Sequence, residues 1–272
     1  MAKTKVIAVA NQKGGVGKST TVFNLGAGLA ANGKKVLLVD VDPQGDLTKM
    51  LGLRKPNDLP LTLGNVMSNI VASVSGNDHP EIMQHHEGFD FVPGNRSLSA
   101  VEVSLVNTMS RETVLKQYLS SVSDQYDFAL IDCKPSLGML TINALTAADS
   151  VIIPVQADYL PARGLEQLLK TVARVKRQLN PKLEVDGILL TMVDNRTVFS
   201  REMCQKVRQN YGTRVLMSEI PRSVRAAEIS AVGKSIYEYD PNGKATQAYE
   251  KLTKEVLGHG RAVRRYKSHQ VR

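Results

Sequence analysis

Ten residues near the N-terminus, Asn11-Gln12-Lys13-Gly14-Gly15-Val16-Gly17-Lys18-Ser19-Thr20, combine three glycines, two lysines and two hydroxyls. Glycines let the main chain curl until successive N–H groups converge, and such a nest binds anions. Lys18 has the reach to meet β- and γ-phosphates, and the Ser19 hydroxyl suits Mg²⁺, which is the division of labour of a Walker A loop. Three aspartates can complete such a site. Asp40 and Asp42 follow the apolar run Lys35–Val39, and Asp132 closes the run Phe128-Ala129-Leu130-Ile131. An apolar strand ending in aspartate is the Walker B arrangement, in which Asp132 helps hold Mg²⁺ opposite Ser19.

These groups need a scaffold that brings them to one edge. The glycine-rich loop lies between the apolar run Val6–Ala10 and the helical pattern Thr21–Ala31, so it is a strand-to-helix turn whose helix N-terminus adds partial positive charge. A glycine-rich turn with two solvated lysines is the alternative, and it leaves that strand and helix unexplained. Residues i and i+2 of a strand share a face, so Asp40 and Asp42 both project toward the phosphates if the strand persists that far. The run Asp40-Val41-Asp42-Pro43-Gln44-Gly45 also satisfies an ordinary Asx/Pro/Gly turn.

Further strands are expected at Phe89–Val92, Ser150–Val155, Val185–Val193 and Val215–Ile220, and helices at Ser97–Val106, Arg111–Ser121, Gly164–Leu179, Arg201–Tyr211 and Lys244–Leu257. The alternation predicts an α/β fold, a doubly wound and mainly parallel sheet with helices on both faces and ligands at the carboxyl edge. Residues 54–87 carry Pro56, Pro60, Gly64, Gly76 and Pro80 among weak helical patterns such as Leu63–Val74, so a peripheral surface segment is expected there. His79, His85 and His86 in that segment lack a fourth ligand at useful spacing and are expected to be solvated rather than metal-bound.

At 272 residues and 42% apolar the chain suits one α/β domain, read as residues 1–258, with a basic tail over 259–272. A net charge of +9 favours a polyanionic partner such as nucleic acid, although an acidic membrane is also compatible. Cys133 and Cys204 are far apart and form no C-x-x-C, so neither a zinc cluster nor a disulfide framework is indicated. With no signal peptide and no apolar run of spanning length, a soluble cytoplasmic protein is expected.

The loop departs from the ordinary pattern in one respect: Gln12 replaces the first glycine and Lys13 adds a second lysine. KGGVGKS resembles the deviant Walker A of the ParA/MinD group of P-loop ATPases, and VLLVDVDPQG resembles the second signature of ParA proteins. The resemblance runs from about Lys5 to Leu257 and takes in Gly233–Pro241. It implies a ParA-type partition ATPase of weak intrinsic activity that uses ATP and Mg²⁺. Lys13, Gly14, Gly15, Val16, Gly17, Lys18, Ser19 and Thr20 then hold the nucleotide, with Lys13 reaching across a homodimer to the partner's phosphates. Asp42 is implied to orient the attacking water, and Asp40 to lie nearer the metal. Pro221 and Ser223 are implied to border the adenine, and Arg196 and Arg225 to contact double-stranded DNA without sequence preference. A ParB-like partner that stimulates hydrolysis and a nucleoid-associated location follow from the same resemblance.

Cys133-Lys134-Pro135-Ser136-Leu137-Gly138 resembles the switch that follows Walker B in ParA proteins, with Lys134 where a proline is expected. Lys134 either turns out into water, loosens the switch, or offers a phosphate contact. Rival readings are a MinD-like membrane-positioning ATPase, an iron-protein-like electron-transfer ATPase and a DNA-coating scaffold that hydrolyses nothing. The tail lacks the apolar face of a membrane helix, so no membrane partner is expected. Disorder or an extra phosphate contact is expected of it instead.

Overall fold

The computed structural model describes residues 3–74, 78–157 and 162–267. In chain order it places β1 (Lys5–Val9), α1 (Lys18–Ala31), β2 (Val36–Asp40), α2 (Asp46–Met50), α3 (Leu63–Val71), β3 (Met83–Gln84), β4 (Asp90–Val92), α4 (Ser97–Ser104) and α5 (Val114–Val122). There follow β5 (Phe128–Asp132), α6 (Met139–Ala147), β6 (Ser150–Gln156), α7 (Ala162–Gln178), β7 (Glu184–Val193), α8 (Val198–Tyr211), β8 (Val215–Pro221), α9 (Val224–Val232), α10 (Ile236–Tyr239) and α11 (Lys244–Lys267).

The strands form one sheet in the order β3-β4-β2-β5-β1-β6-β7-β8, parallel throughout except for β3 against β4. From β1 the chain moves outward to β2, and from β5 it moves to β6 on the other side of β1. That reversal opens a crevice at the carboxyl end of β1, directly under the glycine-rich loop. The period of two explains the layers. Val6 and Ala8 face one core, with α3 to α8, while Ile7 and Val9 face the other, with α1, α2 and α9 to α11.

Three expectations change. The segment 54–87 is not peripheral: Leu63 and Met67 of α3 are fully buried in the first core, because their i,i+4 spacing gives the helix an apolar face. Thr62 and Asn65 start that helix with a reciprocal capping box. His85 is buried rather than solvated, stacked on Phe89 at 4.5 Å between ring centroids, and burial pulls its pKa down to about 4. His86 meets Glu238 at 2.8 Å, and His79 meets Glu81 at 3.1 Å. The last helix continues past Leu257 to Lys267, since lysine and arginine are good helix formers and no proline intervenes. Residues 268–272 of the tail lie outside the described residues.

Candidate functional site

Gly15 and Gly17 take positive φ angles of 69° and 85°, which turn the loop from β1 into α1. Asn11 pins the start of the loop: its side-chain amide donates to the Pro154 carbonyl at 2.6 Å and its oxygen accepts from the Lys13 N–H at 3.0 Å. On the other side the Thr191 hydroxyl donates to the Val16 carbonyl at 2.9 Å, tying the loop to β7. The Lys18 ammonium folds back over the loop and donates to the Lys13 carbonyl at 3.1 Å. Burial lowers the pKa of Lys18, and the carboxylates of Asp132 and Asp42 oppose that shift. The Lys13 ammonium donates to Gln156 at 3.1 Å, beyond the walls of the crevice.

The crevice has a volume of about 760 Å³. Of the expected residues, Gly14, Gly15, Gly17, Lys18, Ser19, Thr20, Asp42, Pro221 and Ser223 line it; Lys13, Val16, Asp40 and Asp132 do not. Val16 is buried beneath the loop, and the two aspartates lie below the crevice floor.

Those two aspartates end adjacent strands in register, Asp40 on β2 and Asp132 on β5. β2 stops at Asp40, so Asp40 and Asp42 do not share a strand face as the spacing allowed. Instead Asp40 serves as a clamp. Its Oδ1 accepts the Asp42 N–H at 3.1 Å, and its Oδ2 accepts both the N–H and the hydroxyl of Thr48, at 2.9 and 2.6 Å. Burial raises the pKa of Asp40 to about 6 and the bonds from Thr48 hold it back. Asp42 in turn accepts the Gln44 N–H at 2.9 Å and faces the crevice. Among the described residues neither buried oxygen of Asp132 has a hydrogen bond of good geometry, although the Ser19 hydroxyl acts on it. Burial, then the nearby Asp40 charge, push its pKa well up, while Ser19 and Lys18 pull it down.

The wall opposite is built from the ends of β7 and β8, joined where the Arg222 N–H donates to the Val193 carbonyl at 3.0 Å. Ser223 caps α9, accepting the Ala226 N–H at 3.2 Å. Arg196 and Arg225 lie outside the crevice, on the loop after β7 and in the first turn of α9. The Arg196 guanidinium forks onto both oxygens of Asp194 at 2.8 and 2.7 Å and is 88% exposed. Arg225 reaches Glu228 at 3.3 Å and lies 5.7 Å from the centroid of the Tyr239 ring.

Sequence reasoning missed several lining groups: Gln44, Thr191, Met192, Arg222 and Tyr249. Met192 carries a signal visible only in three dimensions, a positive φ of 52° on a bulky residue at the rim. The Lys134 side chain neither turns out into water nor lines the crevice. Its ammonium is 2.5 Å from Glu102 of α4, with the two side chains 19% and 25% exposed, while its neighbour Pro135 lines the crevice.

A loop of this shape over a buried aspartate is compatible with many P-loop proteins, and comparison narrows the choice. Residues 4–185 match the family model described as "AAA domain". The sporulation initiation inhibitor protein Soj of Bacillus subtilis is 45% identical over 94% of this chain and 99% of its own. The chromosome partitioning protein ParA of Caulobacter vibrioides is 41% identical over 94% and 95% of the two chains. The chain belongs to the ParA/Soj family of partition ATPases. A solved structure called cobyrinic acid a,c-diamide synthase, from Mycobacterium smegmatis with bound ATP analogue and magnesium, superposes with a TM-score of 0.83 at 37% identity over 96% and 97% of the chains. The ParA-like readings of sequence and sheet therefore hold for the family and the P-loop fold. Among the described residues no helix is long and apolar enough to cross a membrane.

Proposed function

We propose that this chain is an ATP-driven partition protein: it binds ATP at the crevice, dimerises across it, binds double-stranded DNA non-specifically, and releases the DNA when a ParB-like partner stimulates hydrolysis. The observation that carries the chemistry is Asp132. A buried carboxylate whose two oxygens lack hydrogen bonds of good geometry costs several kcal/mol by order of magnitude unless a charge meets it, and a divalent cation is the natural one beside Ser19. Mg²⁺ held by Ser19 and Asp132 supplies charge neutralisation at the β- and γ-phosphates. Asp40, with both oxygens engaged by the backbone and Thr48, acts on this reading as the support of Asp42 rather than as a ligand.

The remaining groups act in order of distance from the phosphates. The N–H groups of Gly14 to Thr20 cradle them, and Lys18 exchanges the Lys13 carbonyl for a phosphate oxygen. Asp42 orients water, its carboxylate steadied by the Gln44 N–H. Pro221 and Ser223 border the base. Lys13 leaves Gln156 to reach the partner subunit's nucleotide, a step that the exposed position of the loop permits. Arg196 and Arg225 exchange carboxylates for DNA phosphates on the same edge. The ATPase domain ends near residue 258, and the basic tail stands outside the cycle. The cell compartment that fits is the cytoplasm, with the ATP form on the nucleoid.

The deciding experiment is a DNA shift assay in ATP and in ADP, with ATP turnover measured alongside, with and without a ParB-like protein. Binding in ATP alone, together with slow turnover that DNA and partner accelerate, is the expected result. Equal binding in ADP, or liposome binding in place of DNA binding, overturns it in favour of a scaffold or a MinD-like ATPase. A diamide synthase reading has less support, since the identity to Soj is higher.

A further inference from the structure

Next to the nucleotide crevice, sharing Gln44 and Lys49 with it, lies a second recess of about 430 Å³. Its cations come from separate segments: Lys49 of α2, Arg54 and Lys55 of the loop that follows, and Arg96 just before α4. These four positive side chains line it with a single carboxylate, Asp58.

The four cationic side chains are exposed, and the walls of the recess between them are part of the fold. Gly45 enters α2 at a φ of 63°, and a Cβ there would lie 2.8 Å from the Gly94 carbonyl and 3.1 Å from Pro56, so only glycine lets the three segments close together. Two bonds then knit the walls. The Asn95 amide donates to the Pro56 carbonyl at 3.1 Å, and the Arg96 N–H donates to the Asn57 side-chain oxygen at 3.2 Å. Two of the cations are already engaged, Lys49 with Asp46 at 3.1 Å and Arg54 with the Ala231 carbonyl at 2.6 Å. The Arg96 guanidinium and the Lys55 ammonium meet no carboxylate within ion-pair distance among the described residues.

Cations gathered around one recess repel one another, and an anion placed between them relieves the repulsion. The geometry points to a second, compact anion site, separate from the P-loop, that takes a ligand carrying two linked phosphates. Arginine forks match phosphate oxygens two at a time, and Lys55 adds a mobile point charge. Asn57, with its oxygen committed to the Arg96 backbone, presents its amide N–H groups to the ligand. A nucleic-acid backbone needs cations in a line along an open surface. These ring a recess walled by Pro43 and Pro56. The recess also abuts the loop that sets Asp42, because Pro43 and Gln44 are its wall and the Gln44 N–H holds the Asp42 carboxylate.

The test is titration calorimetry on the full chain with inorganic pyrophosphate, in excess Mg²⁺ and after saturation with ADP. ADP binding is measured first, so a failure of the nucleotide reading is seen on its own. One further site per chain is expected, and the double variant Lys55→Glu/Arg96→Glu weakens it by more than about tenfold, each lost charged hydrogen bond being worth at least that factor. ADP affinity and the melting temperature stay at the parent values, because neither side chain holds the fold together. The proposal is overturned by no heat beyond the ADP site, by pyrophosphate that merely displaces ADP, or by undiminished binding in the double variant. A short DNA duplex that displaces pyrophosphate from the recess overturns it too, in favour of a nucleic-acid surface.

Discussion

The two walls of the crevice are built on opposite terms. On the β2–β5 side the charged groups are buried and fixed: Asp40 is held by the backbone and Thr48, and Asp132 lies beneath the loop with no hydrogen bond of good geometry among the described residues. On the β7–β8 side Arg222 lines the crevice, and just outside it the charged groups are exposed and locally paired, Arg196 with Asp194 and Arg225 with Glu228. A buried charge in a dry site is preorganised and waits for one ligand. An exposed pair is worth little to the fold and exchanges partners at low cost. The first wall suits chemistry, and the second suits a surface that must bind and let go.

The largest effect is expected from Asp132→Asn, which tests the first wall directly. Mg²⁺-dependent ATP turnover should fall by at least about a hundredfold, on the scale of losing one transition-state contact. Thermal stability without nucleotide should hold or rise, since an uncompensated buried charge has been removed. A marked fall in the melting temperature would mean that Asp132 supports the fold instead. Next come Lys13→Ala and Asp42→Ala, both expected to retain ATP binding and to lose turnover by roughly the same factor. Normal turnover in Lys13→Ala excludes the trans-lysine role. The Asp42→Ala chain should remain a dimer on DNA in ATP, and a monomer by light scattering rejects that assignment.

Thr48→Val sharpens the contrast between the aspartates. It removes the hydroxyl that donates to Asp40 and accepts the Gly94 N–H at 2.9 Å, leaving a buried donor and a buried carboxylate short of partners. Stability should fall by about 1–3 kcal/mol in a denaturant titration. A loss of Mg²⁺ affinity without a loss of stability would make Asp40 a ligand after all.

How much of this was legible beforehand differs between the walls as well. The P-loop lies with its strand and helix in one stretch of sequence, so spacing alone placed it at a turn, and Asp132 was legible from its own apolar strand, Phe128–Asp132. The α/β alternation follows from repeated local patterns, and the family from the resemblance carried by KGGVGKS and VLLVDVDPQG. Thr48 could not be found, because its role depends on α2 closing over Asp40, and threonine in a short helix carries no mark of its partner. His85 was misjudged for the same reason: its burial is set by Phe23 and Phe89, one of them far away in sequence. The far wall is made by the ends of β7 and β8, by α9 and by Tyr249 of α11, and only the assembled fold brings them to the loop.

The second wall is tested by salt. If Arg196 and Arg225 of both subunits meet phosphates, they account for about −3.6 in the slope of log K against log[salt], and Arg196→Ala or Arg225→Ala each flatten it by roughly half that amount. Binding should weaken alike for all DNA sequences, while ATP affinity stays constant. An unchanged slope in both variants removes them from the DNA surface.

The smallest effect is expected at Lys134, which joins the fixed wall to α4. Its ion pair with Glu102 is only a fifth to a quarter exposed, so removing one partner leaves a largely desolvated charge and costs more than the roughly 1 kcal/mol of a solvent-exposed pair. Gly138, at the far end of the loop that follows Asp132, also lies close beside the Glu102 carboxylate. A proline at 134 would fix φ and remove an N–H, stiffening the loop by covalent means; here an ion pair ties the same loop to a neighbouring helix instead. Three variants separate the two devices. Lys134→Ala and Glu102→Gln both break the pair and free the loop, and both should raise basal ATP turnover or reduce its stimulation by DNA and partner, by a few fold. Lys134→Pro breaks the pair and restores stiffness, and should lie nearer the parent. If all three turn over ATP at the parent rate, with and without DNA and partner, the tether plays no part in coupling. If only the proline variant differs, backbone freedom at 134, and not the ion pair, sets the switch.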